Sequence, residues 1–289
     1  MRINNPFELY LQSCRIHLQV LAKSHDGVEY NLSISAGNTV ARGVMAARKV
    51  RTAIDIIVSF DDDQAMNYPG GKGKCYQRLI NLMPAHQVYI ETHLGAGAVM
   101  RHKKPATRSI GIDIDPAVHA VWQQNELHGQ CELVHKDARE FLQAQTFTGN
   151  ELIYADPPYL PETRKSKKVY RFEYDQQGHV ELLCTLKALP CMVMVSGYRS
   201  DLYLEALEGW RLVTFDAKTH AGLREECVWM NFPEPMALHD TRYLGHTFRE
   251  RQTIARRQAR LREKIALMHP VERNDLVQWM NDTYGEGER

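Results

Sequence analysis

From Val88 onward the chain alternates short apolar runs with stretches of helical periodicity. Val88–Thr92 (VYIET), Ser109–Ile114 (SIGIDI), Cys131–His135 (CELVH), Leu152–Ala155 (LIYA) and Cys191–Ser196 (CMVMVS) have the length and β-branched content of strands. Segments long enough for helices separate them, and the one after Ile114 carries Val118, Val121 and Trp122 on one helical face. Strands joined by helices predict right-handed βαβ crossovers and a mainly parallel sheet. Two more strands, Trp210–Phe215 and Cys227–Phe232, are joined by only about ten residues. That is too short for a usual parallel crossover, so the last strand is expected to run antiparallel. The expected fold is α/β with a seven-stranded, mostly parallel sheet.

Ahead of this unit, Asn67–Lys74 (NYPGGKGK) reads as a turn-rich loop, followed by a helix over Cys75–Leu82 that stops before Pro84. Residues 1–65 carry strand patterns at Val28–Ser35 and Ala53–Phe60 with a helix expected between them, and Asp61-Asp62-Asp63 reads as a solvated boundary. At the other end, Asp240–Lys264 holds eight basic and three acidic residues, whereas residues 265–289 hold two and five. Both stretches read as helical, broken at Pro270.

Composition narrows the classes further. The 289 residues are 44% apolar and 25% charged, and the formal net charge is +1. These values exclude a disordered tail protein, a collagen-like chain and a disulfide miniprotein. Near-zero charge predicts no bulk attraction to nucleic acid, so any attraction must come from local patches. The six cysteines form no C-x-x-C pair and no zinc spacing, so no metal is expected, and reduced buried thiols are. No signal-peptide pattern and no long apolar span is present, so a cytoplasmic location is expected.

Candidate chemistry gathers where the expected strands end. Ligands of open parallel sheets bind beyond the carboxyl ends of the strands. Gly95 and Gly97 follow the first strand, where a tight turn lets backbone approach a ligand. Asp113, near the end of the second, is suited to accept hydrogen bonds from both ribose hydroxyls of a nucleoside cofactor. Asp137, after the third, is suited to receive an adenine amino group. No GxGxxG with a pyrophosphate role is present, which favours a cofactor without phosphates over NAD. Asp156-Pro157-Pro158-Tyr159 ends the fourth strand and is the strongest signal. Its two prolines stiffen the loop and remove two donors. The Asp156 carboxylate and the Pro157 carbonyl are left as fixed acceptors for the two N–H bonds of a planar exocyclic amine. Such acceptors draw the nitrogen lone pair out of conjugation and aim it at an electrophile, while Tyr159 offers a stacking face.

With these pieces in order, the chain resembles the Dam-like, D12-class DNA adenine-N6 methyltransferases, particularly the short phage and prophage forms. NYPGGKGK, YIETHLGAGAVM, SIGIDID, LVHKDAREFL, IYADPPYLPETRKS, VMVSGY and REECVWMNF carry the resemblance, from Met66 to about Phe232. It implies a Rossmann-like fold and S-adenosylmethionine as cofactor. The cofactor residues it implies are Tyr68, Lys72, Glu91, Gly95, Gly97, Asp113, Asp137 and Asp156, with Asp156, Pro157 and Tyr159 as the catalytic set holding the target adenine. It divides the chain into an N-terminal extension (1–65), a methyltransferase domain (66–235) and a basic helical C-terminal segment suited to DNA contact (236–289), with Met66 a candidate natural start. The chain departs from the family in carrying Thr92-His93 after Glu91 where Pro-Phe is usual. It also has only 18 residues between Asp137 and Asp156, where a recognition insert is usual.

The implied activity is methyl transfer to adenine N6 in double-stranded DNA, with the base flipped from the duplex. Arg164, Lys165, Lys167, Lys168 and Arg171 directly follow the tetrapeptide and read as phosphate contacts. The arginine-rich stretch from Arg249 to Arg262 is a second candidate, with a solvated helix as its rival. A restriction enzyme is a candidate partner in a restriction-modification pair. Two rivals remain: a methyltransferase acting on guanine N2 of ribosomal RNA, and a non-catalytic DNA-binding or defence protein on the same scaffold.

Overall fold

In the computed structural model, residues 72, 75–124, 131–164, 170–219 and 222–285 are described, together with the backbone of four strands nearer the N-terminus. These four, β1 (Phe7–Tyr10), β2 (Arg15–Ser24), β3 (Gly27–Ala36) and β4 (Thr39–Ala46), form an antiparallel meander in sequence order. β3 matches the expected strand at Val28–Ser35. The helix expected after it is corrected, because β4 pairs with β3 from Ala36↔Thr39 to Glu29↔Ala46. β-branched Thr39, Val40 and Val44, after a turn-favouring Gly37-Asn38, suit a strand better. The expected strand at Ala53–Phe60 lies outside the described residues.

Downstream come α1 (Tyr76–Ile80), β5 (Val88–Glu91), α2 (Ala98–His102), β6 (Arg108–Asp113), α3 (Pro116–Gln124), β7 (Glu132–His135), α4 (Ala138–Ala144), β8 (Glu151–Ala155), α5 (Gln176–Lys187), β9 (Met192–Gly197), α6 (Asp201–Ala206), β10 (Arg211–Thr219) and β11 (Gly222–Met230). Seven of the strands form one sheet in the order β10-β11-β9-β8-β5-β6-β7. β7, β6, β5, β8 and β9 run parallel, and β11 is antiparallel to both β9 and β10. This is the Rossmann-like sheet expected above, including its antiparallel last strand. The chain leaves β5 toward β6 and returns to β8 on the other side, so the switch point lies beside β5.

Burial follows position in the sheet. All five residues of β8 are buried, whereas β7, at the edge, is exposed at both ends. A strand covered on both faces reads as a continuous apolar run, as Glu151–Ala155 nearly does. On one face Ile90, Ile112, Ile153, Val193, Val195 and Trp229 pack against Phe141 and Leu142 of α4 and Leu182, Leu183 and Leu186 of α5. Each fully buried leucine contributes roughly 1.5–3 kcal/mol. The same helical spacing leaves Cys184 exposed, which corrects the expectation of a buried thiol there. Cys75, Cys131, Cys191 and Cys227 are buried.

The chain divides into two units, one of residues 1–74 and 86–233 and the other of residues 75–85 and 234–289. Within the second unit, the Asn81 side-chain amide donates to the carbonyls of Tyr243 and Gly245, and Pro84 bridges Leu238. It also contains α7 (Phe248–Leu267) and α8 (Pro270–Tyr284), which break at Pro270 as expected. Among the described residues no helix is long and apolar enough to cross a membrane.

Candidate active site

Four neighbouring strands end on one cavity of about 260 Å³. β5 delivers Glu91 and the turn Thr92–Ala98, β6 delivers Asp113 to Asp115, β7 leads to Lys136 and Asp137, and β8 leads to Asp156. Tyr170, Phe172, Glu173 and Tyr174 complete the wall. Of the residues singled out in the sequence, Lys72, Glu91, Gly95, Gly97, Asp113, Asp137 and Asp156 all line it. Pro157 and Tyr159 do not, and Tyr68 lies outside the described residues.

The glycine turn is fixed by its neighbours. The Gly95 N–H donates to Asp113 Oδ2 at 2.8 Å, and the Gly95 carbonyl accepts from Trp122 Nε1 at 2.9 Å. Gly97 sits at φ +58°, and a Cβ there would lie 2.1 Å from Trp122 Cζ2. Glycine at 97 is therefore required by α3 packing as well as by backbone shape. Asp113 Oδ1 accepts from the Asp115 N–H at 2.9 Å, so one carboxylate staples two turns together. Burial raises its pKa against those backbone bonds. An ionised carboxylate has about four acceptor positions, so two remain for a ligand.

Asp156 is held by Lys72, whose Nζ lies 2.7 Å from Oδ1. Both side chains are largely buried, with 9% and 14% of their surface exposed. The same ammonium sits 4.7 Å from the ring centroid of Tyr159, a cation–π contact. Tyr159 is buried, its hydroxyl donates to Glu226 Oε2 at 2.6 Å, and Tyr198 packs edge-on against it at 4.5 Å. The expected stacking face is thus occupied by Lys72 and Tyr198. Glu226, on β11, escaped sequence reasoning because only the sheet order brings it beside the DPPY turn. Burial raises its pKa against the pull of Lys72.

Glu91 is buried and accepts from the Tyr89 hydroxyl at 3.0 Å. Burial pushes its carboxyl up to about 8. His93, which follows Thr92 after β5, bonds Thr92 Oγ1 at 2.8 Å and the Tyr174 hydroxyl at 3.2 Å. Burial pushes it down to about 3, so the imidazole is neutral near pH 7.

Asp137 caps α4. Its Oδ1 accepts from the Arg139 and Glu140 N–H groups and from Arg139 Nε at 3.1 Å. Burial works against ionisation, yet the Arg139 bonds hold the carboxyl below its ordinary value. Arg139 also stacks on Tyr174, 5.2 Å from its centroid, which braces the outer wall. Two residues expected to meet phosphate are paired with carboxylates, Arg171 while remaining exposed and Arg164 while largely buried. Arg171 pairs with buried Asp115 at 3.0 Å, and Arg164, only 8% exposed, pairs with Glu173 at 2.9 Å. Lys165, Lys167 and Lys168 lie outside the described residues.

No family model matches the chain, and no curated protein does. Solved structures with a similar chain path include TrmK from M. capricolum in complex with S-adenosyl-homocysteine (9% identity, 71% of this chain and 93% of that one, TM-score 0.39). The N-methyltransferase NodS from Bradyrhizobium japonicum WM9 is similar at 15% identity, covering 55% of this chain and 94% of that one, with a TM-score of 0.39. An rRNA methylase from Streptococcus thermophilus is similar at 13% identity, covering 54% and 93%, with a TM-score of 0.38. Likeness at this level extends to the general arrangement of the chain, and the chemistry below is read from the site's own residues.

Proposed function

We propose that the chain transfers a methyl group from S-adenosylmethionine to N6 of adenine in double-stranded DNA, the target base being flipped out of the duplex. The observation that carries this reading is the meeting of Asp156 with Asp113 and the glycine turn around one cavity at the switch point. Among the described residues Lys72, on Oδ1, is the one hydrogen-bond partner of Asp156. Oδ2 is left to accept an amino group.

The residues present fit a cationic nucleoside cofactor. Six acidic side chains line the cavity against the cationic Lys72, Lys136 and Arg139. Asp113 retains acceptor positions for ribose hydroxyls, and Lys72 would meet a carboxylate. Gly95, Gly97 and Glu91 would border the methionine end, and Asp137 the adenine end. S-adenosylmethionine supplies a methyl group on a sulfonium that needs no further activation.

Catalysis then consists of positioning and desolvation. Asp156 and the Pro157 carbonyl accept both N–H bonds of the amine and direct its lone pair toward the methyl carbon. As the N–C bond forms and the C–S bond breaks, Asp156 accepts the proton shed by nitrogen and releases it to water. Tyr159 borders the base after Lys72 withdraws from its ring, and Lys165, Lys167 and Lys168 are assigned to phosphate on the basis of charge. The test is Asp156→Ala: methyl transfer is lost while calorimetric binding of S-adenosylmethionine persists. Turnover like that of the unaltered chain refutes the assignment.

A further inference from the structure

The arginine-rich stretch singled out in the sequence plays no part in the cavity, yet its arrangement in the structure is one-sided. Arg249, Arg256, Arg257, Arg260 and Lys264 of α7 are all exposed. Their spacings of three, four, seven and eight residues place them on one helical face. From Arg249 to Lys264 that stripe spans about 22 Å at 1.5 Å per residue.

A helix that is merely solvated is commonly laced with acid–base pairs four residues apart. This one is not. Arg256/Arg260 and Arg260/Lys264 are like-charged i, i+4 pairs, each mildly destabilising. Among the described residues none of the five has a salt-bridge partner, and Arg256 makes a long side-chain bond only to Gln252, at 3.4 Å. Glu250 is engaged at the helix start, where it accepts from the His246 N–H at 2.9 Å. The opposite side of α7 carries half-buried Ile254, Gln258 and Ile265. Leu261 and Leu267 of the same helix are exposed, so a bilayer is the rival surface that the vesicle arm of the test addresses.

We infer that the α7 stripe docks on the phosphate backbone of double-stranded DNA. A polyanion relieves the repulsion within the stripe, and five cations along about four helical turns of sequence-independent contact give affinity without base specificity. Docking of this kind holds the duplex whether or not a methyl group is transferred.

The experiment measures binding of the full chain to a labelled DNA duplex across a salt series. Arg256→Ala/Arg260→Ala is expected to weaken binding similarly for all sequences and to make the slope of log affinity against log salt shallower by about 2. Alanine is the best helix former, so loss of α7 is not the cause, and circular dichroism verifies it. Lys187→Ala, an exposed cation on α5, is expected to leave the slope unchanged. An unchanged slope in the double variant overturns the inference. So does a loss confined to phosphatidylserine vesicles with DNA binding intact. A chain that binds DNA through α7 but methylates nothing refutes the proposed function and leaves this inference standing.

Discussion

Lys72 Nζ donates to Asp156 Oδ1 at 2.7 Å, and no other residue among those described hydrogen-bonds the Asp156 side chain. The contact spans 84 positions of sequence and joins the glycine-rich loop before the sheet to the turn after β8. Its energetic value lies mostly in what removal of one partner leaves behind, a largely buried unpaired charge.

The pair is therefore expected to be strongly coupled. Lys72→Met and Asp156→Leu should each destabilise the protein by about 3 kcal/mol. The double variant should be more stable than the sum of the two losses implies. Urea unfolding of the four proteins measures this, and purely additive losses contradict it.

Glycine 97 is required twice over, for its φ of +58° and for the 2.1 Å approach to Trp122. Gly209, at φ +82°, has nothing within 4 Å of where a Cβ would stand. Gly209→Ala is expected to cost about 1–2 kcal/mol from backbone strain alone. Gly97→Ala should cost roughly 1–3 kcal/mol more through overpacking. Thermal melts compare them, and equal losses would remove the packing role of Trp122.

The buried Glu91 carboxyl, pushed up to about 8, gives a signed pH dependence. Between its ordinary value of 4.5 and about 8 the folded state holds a proton that the unfolded chain has released. Its contribution is thus present in full at low pH and is lost as pH rises through about 8. Glu91→Gln keeps an acceptor for Tyr89 without the titration. The variant should gain stability relative to the unaltered chain as pH rises from 5 to 8, as denaturant midpoints at several pH values will show. A constant difference across that range argues against the shift.

Tyr159→Phe retains the ring but takes the donor from buried Glu226. A loss of about 1–3 kcal/mol is expected. Tyr159→Phe/Glu226→Leu should restore part of it. No loss in the single variant would show that the 2.6 Å bond contributes nothing.

The parallel sheet was legible because β5, β8 and β9 are buried on both faces and so lose the alternation that makes short strands ambiguous. The short link between β10 and β11 likewise foretold the antiparallel end. β4 was not legible, since its identity as a strand depends on pairing with β3 rather than on its alanine-containing pattern. At the site, Asp113 and Asp156 stood out because one ends a strand and the other directly follows one. Glu226, Asp115 and Tyr174 carry no comparable local signal, and only the sheet and its turns bring them to the cavity or to Tyr159. Arg164 looked like a surface cation because a charge run does not disclose that Glu173 folds back onto it.

The central claim is tested most directly by incubating the full chain with tritium-labelled S-adenosylmethionine and either double-stranded DNA or ribosomal RNA, then separating the digested nucleosides. Label in N6-methyladenine from DNA, absent with Asp156→Ala, is the expected result. Label in guanine N2 from ribosomal RNA, or no transfer to either nucleic acid, would contradict it.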